Sequence, residues 1–145
     1  MMAGGAAKMG AEHFATYLKN SRYFEKCIQK LKIISAGEGK CTALLKVDED
    51  HINPFGTLHG GLSATLVDTV SSWALLTHDN VIVNSVSVDI KMSYLKAAPL
   101  GQEVQIDADT IRVGKTLAFL KAYIKNKETG ELLVEGSHTK FFIRS

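Results

Sequence analysis

Between Gly60 and His78 the chain carries one charged residue, Asp68, in a run that is otherwise apolar or small. Leu62, Leu66, Val67, Val70, Trp73, Ala74, Leu75 and Leu76 cover almost the whole circumference of a helix drawn through residues 60–78. A helix that is apolar on every side has to be enclosed. The rest of the 145 residues, enough for one domain, must supply the enclosure. Asp68 resists it, because a carboxylate is almost never buried unless it is paired or in use.

Strand patterns supply the wrapping. Residues 32–35 and 40–47 flank the turn Ala36-Gly37-Glu38-Gly39 and predict a hairpin. Val86, Val88, Ile90 and Met92 alternate with Ser85, Ser87, Asp89 and Lys91, a period of two. Val104, Ile106 and Ala108 alternate with Glu103, Gln105 and Asp107, and the slip at 109–111 predicts a bulge. Strands over 117–125 and 132–143 follow, after turns at Gly114-Lys115 and Lys127–Gly130. Four successive strands with such spacing predict an antiparallel meander. Upstream, Phe14, Tyr17, Leu18, Phe24, Ile28 and Leu31 follow a 3.6 period, so a helix is expected over 11–31, interrupted at Ser21. Residues 1–10 are expected to be disordered. The fold class is α+β, one curved antiparallel sheet of five or six strands around one long helix. The chain divides into a flexible N-terminal segment, 1–20, and a single domain, 21–145.

Composition narrows the function classes. Hydrophobic residues at 46% against 22% charged exclude a disordered chain. Seventeen basic and 15 acidic residues leave a net charge of +2, too balanced for a nucleic-acid-binding domain. Two cysteines, Cys27 and Cys41, make neither a disulfide framework nor a four-cysteine metal site, and they suit a reducing compartment. The apolar-leaning run 52–67 is broken by Asn53, Pro54 and Gly60-Gly61 and ends at Asp68. A spanning helix needs ~20 apolar residues, so no membrane span is expected. The N-terminus lacks the apolar core of a secretory signal. Its small residues with Lys8 and Lys19 suggest a mitochondrial leader, and Glu12 with a shortage of Arg and Ser argues against one. The cytoplasm is expected, with the mitochondrion as the alternative.

Three segments carry candidate chemistry. Asp68 is either a carboxylate satisfied by nearby hydroxyls or standing at a solvated gap, or a base able to take a proton from water. His59-Gly60-Gly61 opens the helix, where unsatisfied N–H groups and the positive dipole end can hold an oxyanion. Equally, the glycines make the turn and His59 caps it. Asn53-Pro54-Phe55-Gly56 is a turn, or it aims an amide at a carbonyl or a water. Gly60 and Asp68 are eight residues apart, about 12 Å along a helix axis. One carbonyl cannot meet both within a subunit. If both act on it, Asp68 must come from a second copy in a two-fold dimer.

Other patterns fail. Gly114-Lys115-Thr116 lacks the upstream glycine of a phosphate loop, since position 109 is Asp. Gly61-Leu62-Ser63-Ala64-Thr65 lacks the final glycine of a nucleophile elbow. His51, His59 and His78 have no metal-ligand spacing, so no metal and no cofactor are expected. Lys91, Lys96, Arg112, Lys115 and Lys140 fall on the later strands. They suit a solvated strand face, or a ligand with a phosphate end and an apolar end.

The run His51-Ile52-Asn53-Pro54-Phe55-Gly56-Thr57-Leu58-His59-Gly60-Gly61, followed by Asp68, resembles the hotdog-fold acyl-CoA thioesterases. Ser87-Val88-Asp89, Gly114–Phe119 and His138-Thr139-Lys140 extend the resemblance over residues 20–141. It implies a long central helix wrapped by a curved sheet, a dimer with a continuous sheet, and a dimer of dimers. It implies hydrolysis of medium- to long-chain acyl-CoA. The Gly60 amide would polarise the thioester. Asp68 of the second subunit would act as general base or nucleophile, with Ser87 orienting the water. Asn53 would position water or carbonyl, and His59 would orient Asn53 or assist the leaving thiolate. Coenzyme A would lie against Asp89, Tyr94, Lys96, Arg112, Gly114, Lys115 and Thr116. Lys96-Ala97-Ala98-Pro99 departs from the family's Ser-Pro-Ala-Lys. The competing expectations are a hydratase or dehydratase of the same fold, with His51 as spare base, and an acyl-CoA- or partner-binding module without turnover.

Overall fold

In the computed structural model, residues 9–81 and 83–144 are described. The expectation of disorder for residues 1–8 lies outside them. Helix α1 spans Ala11–Asn20 and lies in the stretch set apart as the N-terminal segment. It nonetheless buries Phe14 and Leu18 in the core, and Phe14 stacks on Trp73 with ring centroids 5.2 Å apart. The helix expected over 11–31 is two pieces. Ser21 breaks it and its Oγ accepts from the Tyr23 N–H at 3.1 Å. A 3₁₀ turn, Phe24–Ile28, follows. The tighter turn rotates the stripe, so Ile28 is buried while Phe24 is exposed.

Six strands form one antiparallel sheet: β1 Lys32–Gly37, β2 Lys40–Lys46, β3 Ser85–Tyr94, β4 Glu103–Val113, β5 Leu117–Asn126 and β6 Leu132–Phe142. The β1–β2 hairpin turns through Glu38 and Gly39, both at positive φ (52° and 79°), the backbone of the favoured two-residue hairpin turn. The sheet order is β1-β2-β4-β5-β6-β3. The meander therefore covers β4, β5 and β6 alone. β3 sits at the far edge, paired with β6. The connections account for this. Residues 114–116 and 127–131 close tight hairpins, whereas residues 95–102 cross the end of the sheet.

Helix α2, Gly60–Leu76, packs on the inner sheet face. Leu66, Val67, Val70 and Ala74 are fully enclosed by Ala43 and Leu45 of β2, Val104 and Ile106 of β4, and Ala122 and Ile124 of β5. The helix meets β6 at Gly136, where an added Cβ would stand 2.7 Å from a Val67 methyl. The expected β4 bulge is present, between Thr110 and Arg112. Another, not expected, interrupts β3 between Ser87 and Asp89. The period of two in β3 therefore breaks. Ile90 and Met92 pack on the core, whereas Val86 and Val88 stand half exposed on the free edge. No helix among the described residues is long and apolar enough to cross a membrane.

Candidate active site

The chain enters α2 through a loop whose backbone is held tightly. His51 is buried, and its Nδ1 accepts from the Asp48 N–H at 3.0 Å in a capping box. The spare base required by a hydratase is thus spent on a 3₁₀ turn, Glu49–His51. Asn53 Oδ1 accepts from the amides of Phe55 (3.0 Å) and Thr57 (3.1 Å), while Nδ2 donates to Thr57 Oγ1 at 2.9 Å. This is the turn its residue types suggest, and it fixes the carboxamide. Thr57, not His59, orients Asn53. His59 caps the helix, its Nδ1 accepting from the Gly61 N–H at 2.8 Å.

Gly60 is the first helical residue, so its N–H has no intrahelical acceptor, and no other described group takes it. Its carbonyl accepts from the Tyr94 hydroxyl at 2.7 Å. The Tyr94 side chain lies over the glycine, with two ring carbons and the hydroxyl oxygen each 3.4 Å from the position of an added Cβ. Burial raises the Tyr94 hydroxyl above its ordinary pKa. Gly60 and Asn53 line one cleft of about 340 Å³. Leu58, Ala98, Ile124 and Leu133 form its apolar wall. That volume sits at the lower end of the ~300–1,000 Å³ of small-molecule sites. Leu58 N–H donates to the Ala98 carbonyl at 2.8 Å, so the β3–β4 crossing seals the side of the cleft.

Asp68 lies two turns further along α2 and does not line this cleft. Its side chain is 47% exposed, on the helix stripe, with Gly61, Ala64, Thr65, Thr69 and Ser72, that the sheet leaves partly open. Two β6 residues face it from the inner sheet face. His138 Nε2 stands 3.8 Å from Asp68 Oδ1. The same Nε2 bonds Ser87 Oγ at 2.7 Å, and Nδ1 bonds Ser71 Oγ at 2.9 Å. Burial holds the imidazole down to about 4, against the opposing pull of Asp68, so it is neutral at neutral pH. The Ser71 hydroxyl also donates to the Asp68 carbonyl at 3.3 Å. With that proton committed, we assign His138 the tautomer that donates through Nδ1 and accepts at Nε2. Ser87 therefore donates to His138 and keeps its own lone pairs for another donor. Further along, Lys140 Nζ donates to Ser72 Oγ at 2.8 Å, and Ser72 Oγ donates to Asp68 Oδ1 at 3.5 Å.

Lys140, one of the five cations read as a solvated face or a phosphate contact, lies on no solvated face. It is 8% exposed and points inward with Val134, His138 and Phe142. Sequence reasoning gave His138 no role and gave Lys140 none beside Asp68. The alternation along β6 carried the signal, since both share the parity of Val134 and Phe142.

The expected coenzyme A residues fall into two groups. Tyr94 lies beside Gly60, and Lys96, which lines the same cleft, pairs with Glu131 at 2.9 Å. Arg112, Gly114, Lys115 and Thr116 lie around the β4–β5 turn, beside the opposite end of β3, where the Phe142 N–H donates to the Thr116 carbonyl. Ser85 and Tyr94 are the two ends of the 10-residue strand β3, about 30 Å apart along it. Asp89 is exposed midway.

Comparison with known proteins identifies the frame. Residues 55–133 match the family model of the thioesterase superfamily. The chain belongs to the thioesterase superfamily. It is 44% identical over 123 residues to acyl-coenzyme A thioesterase 13 of Homo sapiens, covering 85% of this chain and 87% of the relative. A crystal structure of zebra fish thioesterase superfamily member 2 superposes with a TM-score of 0.89 at 35% identity, covering 93% of this chain and 99% of that one. A hypothetical thioesterase from Streptococcus pneumoniae, solved with coenzyme A, superposes with a TM-score of 0.73 at 26% identity over 79% of this chain and 88% of that one. The hotdog thioesterase fold expected from the Asn53–Asp68 motif is the fold observed.

Proposed function

We propose that the chain hydrolyses medium- to long-chain fatty acyl-CoA to the free acid and coenzyme A. The observation that carries this is the Gly60 N–H, without an acceptor among the described residues, at an apolar cleft, on a helix whose carboxylate, Asp68, approaches the same His138 Nε2 that Ser87 bonds. The acyl group would use the wall of Leu58, Ala98, Ile124 and Leu133. Its carbonyl oxygen would accept from Gly60, where the helix dipole adds to the hydrogen bond. Asn53 Nδ2 has a second hydrogen, beyond the one given to Thr57, for the same oxygen or the attacking water.

Water donates one hydrogen to Asp68 and the other to the free lone pair of Ser87. As its oxygen bonds to the thioester carbon, its proton passes to Asp68 and the carbonyl becomes an oxyanion on Gly60. Collapse breaks the carbon–sulfur bond and releases the thiolate, which takes back the proton from Asp68. His59 keeps Nε2 exposed beside this route. His138 never ionises in the cycle. It fixes Ser87 as the acceptor.

Gly60 and Asp68 on one helix are about 12 Å apart, so the two would meet across a dimer. The free edge of β3 supports this, because Val86 and Val88 are 50% and 57% exposed there and an unpaired apolar edge invites a strand. Pairing β3 with its copy would continue the sheet. It would also let the Arg112–Thr116 turn of one subunit serve a ligand held by Tyr94 and Lys96 of the other. Association of two dimers is carried over from the family resemblance.

Free-thiol release from a panel of acyl-CoAs tests the reading. Steady turnover on longer chains, lost by at least ~10²-fold in Asp68→Ala, is expected for removing a general base. Coenzyme A binding without thiol release would instead make the chain a binding module.

A further inference from the structure

Lys140 is a buried ammonium without a carboxylate in ion-pair contact among the described residues. Enclosing such a charge is costly unless something answers it. Its neighbours of the same parity along β6, Val134, His138 and Phe142, are uncharged in that environment. Its one hydrogen bond among the described residues goes to Ser72, and Ser72 turns its own proton to Asp68. A hydroxyl that accepts from an ammonium is polarised toward donating, so Ser72 passes the charge of Lys140 to one oxygen of Asp68. We propose that Lys140 is a positioning residue for hydrolysis, acting through Ser72 as the counter-charge that fixes the Asp68 carboxylate. The proposal rests on the thioesterase reading for its catalytic consequence, but not for the Lys140–Asp68 coupling itself.

The surroundings leave Lys140 alone in this role. From β6, His138 also faces Asp68, but it is neutral above about 4. From β3, Asp89 acts on His138. From β2, burial pushes the Cys41 thiol up to about 12, and Cys27 in the 3₁₀ turn is raised as well. β4 and β5 offer the helix only apolar side chains such as Val104, Ile106, Leu120 and Ile124. Burial lowers the Lys140 ammonium below its ordinary 10.5, and the Asp68 anion opposes that fall. Lys140 is therefore the cation near Asp68 whose titration burial draws below the ordinary lysine range.

The test follows kcat against pH in the full-length protein. In the wild type, kcat falls as pH rises through a midpoint below 10.5. Lys140→Arg, which keeps its charge throughout, removes that fall and retains turnover. Lys140→Met shows no fall either, but kcat stands about tenfold or more lower, the scale of a lost hydrogen bond to a charged group. KM stays within about twofold, because the substrate does not touch Lys140. Ser72→Ala lowers kcat in the same direction and serves where Lys140→Met does not fold. An alkaline profile identical in wild type and Lys140→Arg, or full kcat in both Lys140→Met and Ser72→Ala, overturns the proposal. A second arm needs no turnover. Nitrogen-15 NMR of lysine Nζ follows the Lys140 midpoint, which must move down in Asp68→Asn. An unmoved midpoint overturns the coupling. Absence of thiol release in the wild type sinks the thioesterase reading and leaves the NMR arm to decide.

Discussion

Ser87 Oγ lies 2.7 Å from His138 Nε2. Because that imidazole is neutral and donates through Nδ1, the bond turns Ser87 into an acceptor on its open side. A hydroxyl held this way can take one hydrogen of a water whose other hydrogen goes to Asp68. The orientation is set two elements away, by Ser71 on α2 and by the placement of β6 beside β3.

This makes His138 sensitive to acid. Its folded-state value, about 4, lies below the ordinary 6.5, so the unfolded chain binds the proton more readily. The stability due to neutral His138 is present above 6.5 and is lost as pH falls from there toward 4. The urea midpoint of the wild type should drop across that window, and His138→Gln should flatten the drop. An equal drop in both proteins would show that another group titrates.

Gly136 permits the closest approach of sheet and helix. A Cβ there would meet both methyls of Val67, at 2.7 and 3.0 Å, and a β-branched side chain has no free rotamer to retreat into. Gly136→Ala should cost about 1–3 kcal/mol of stability by overpacking. Since Val67 precedes Asp68, kcat should fall more than KM rises. Urea unfolding and steady-state thiol release check the two effects.

Gly60→Pro removes the oxyanion donor with little disturbance to the helix. Proline is tolerated at the first helical position, and His59 at φ −63°, ψ 134° already holds the backbone favoured before proline. The helix should survive by circular dichroism, and kcat should fall ~10²–10³-fold, the range for one lost oxyanion donor. Full activity would remove the Gly60 N–H from the mechanism.

Much of this was legible in the residues. The apolar circumference of 60–78 predicts a helix packed on the sheet, and Asp68 falls on the stripe, with Gly61, Ala64, Thr65 and Ser72, that the single chain leaves partly open. The hairpin over 32–47 and the β4 bulge follow from turn residues and from the phase of the alternation. The place of β3 was not legible, because alternation predicts that a strand exists and not its neighbour. The eight residues between β3 and β4 were the available hint against a hairpin. The break at Ser21 is legible, where a side chain bonded to the backbone offers an alternative to the helix; that the piece beyond it is a 3₁₀ turn is not. In the site, Asn53, Gly60 and Asp68 stood out by residue type. His138 and Lys140 did not, since a charged residue at an inward position looks the same in sequence as one facing solvent. Their roles depend on contacts between residues about 68 positions apart, such as Lys140 with Ser72.

The central claim is that Gly60 of one subunit and Asp68 of another serve one thioester. Mixing two inactive variants, Asp68→Ala and Gly60→Pro, after joint unfolding and refolding tests it directly. In a two-fold dimer each mixed pair holds one site with both changes and one with neither. Equal mixing should therefore restore about a quarter of wild-type thiol release, since half the dimers are mixed and each carries one intact site. A refolded mixture no more active than the two variants measured separately would contradict a shared site.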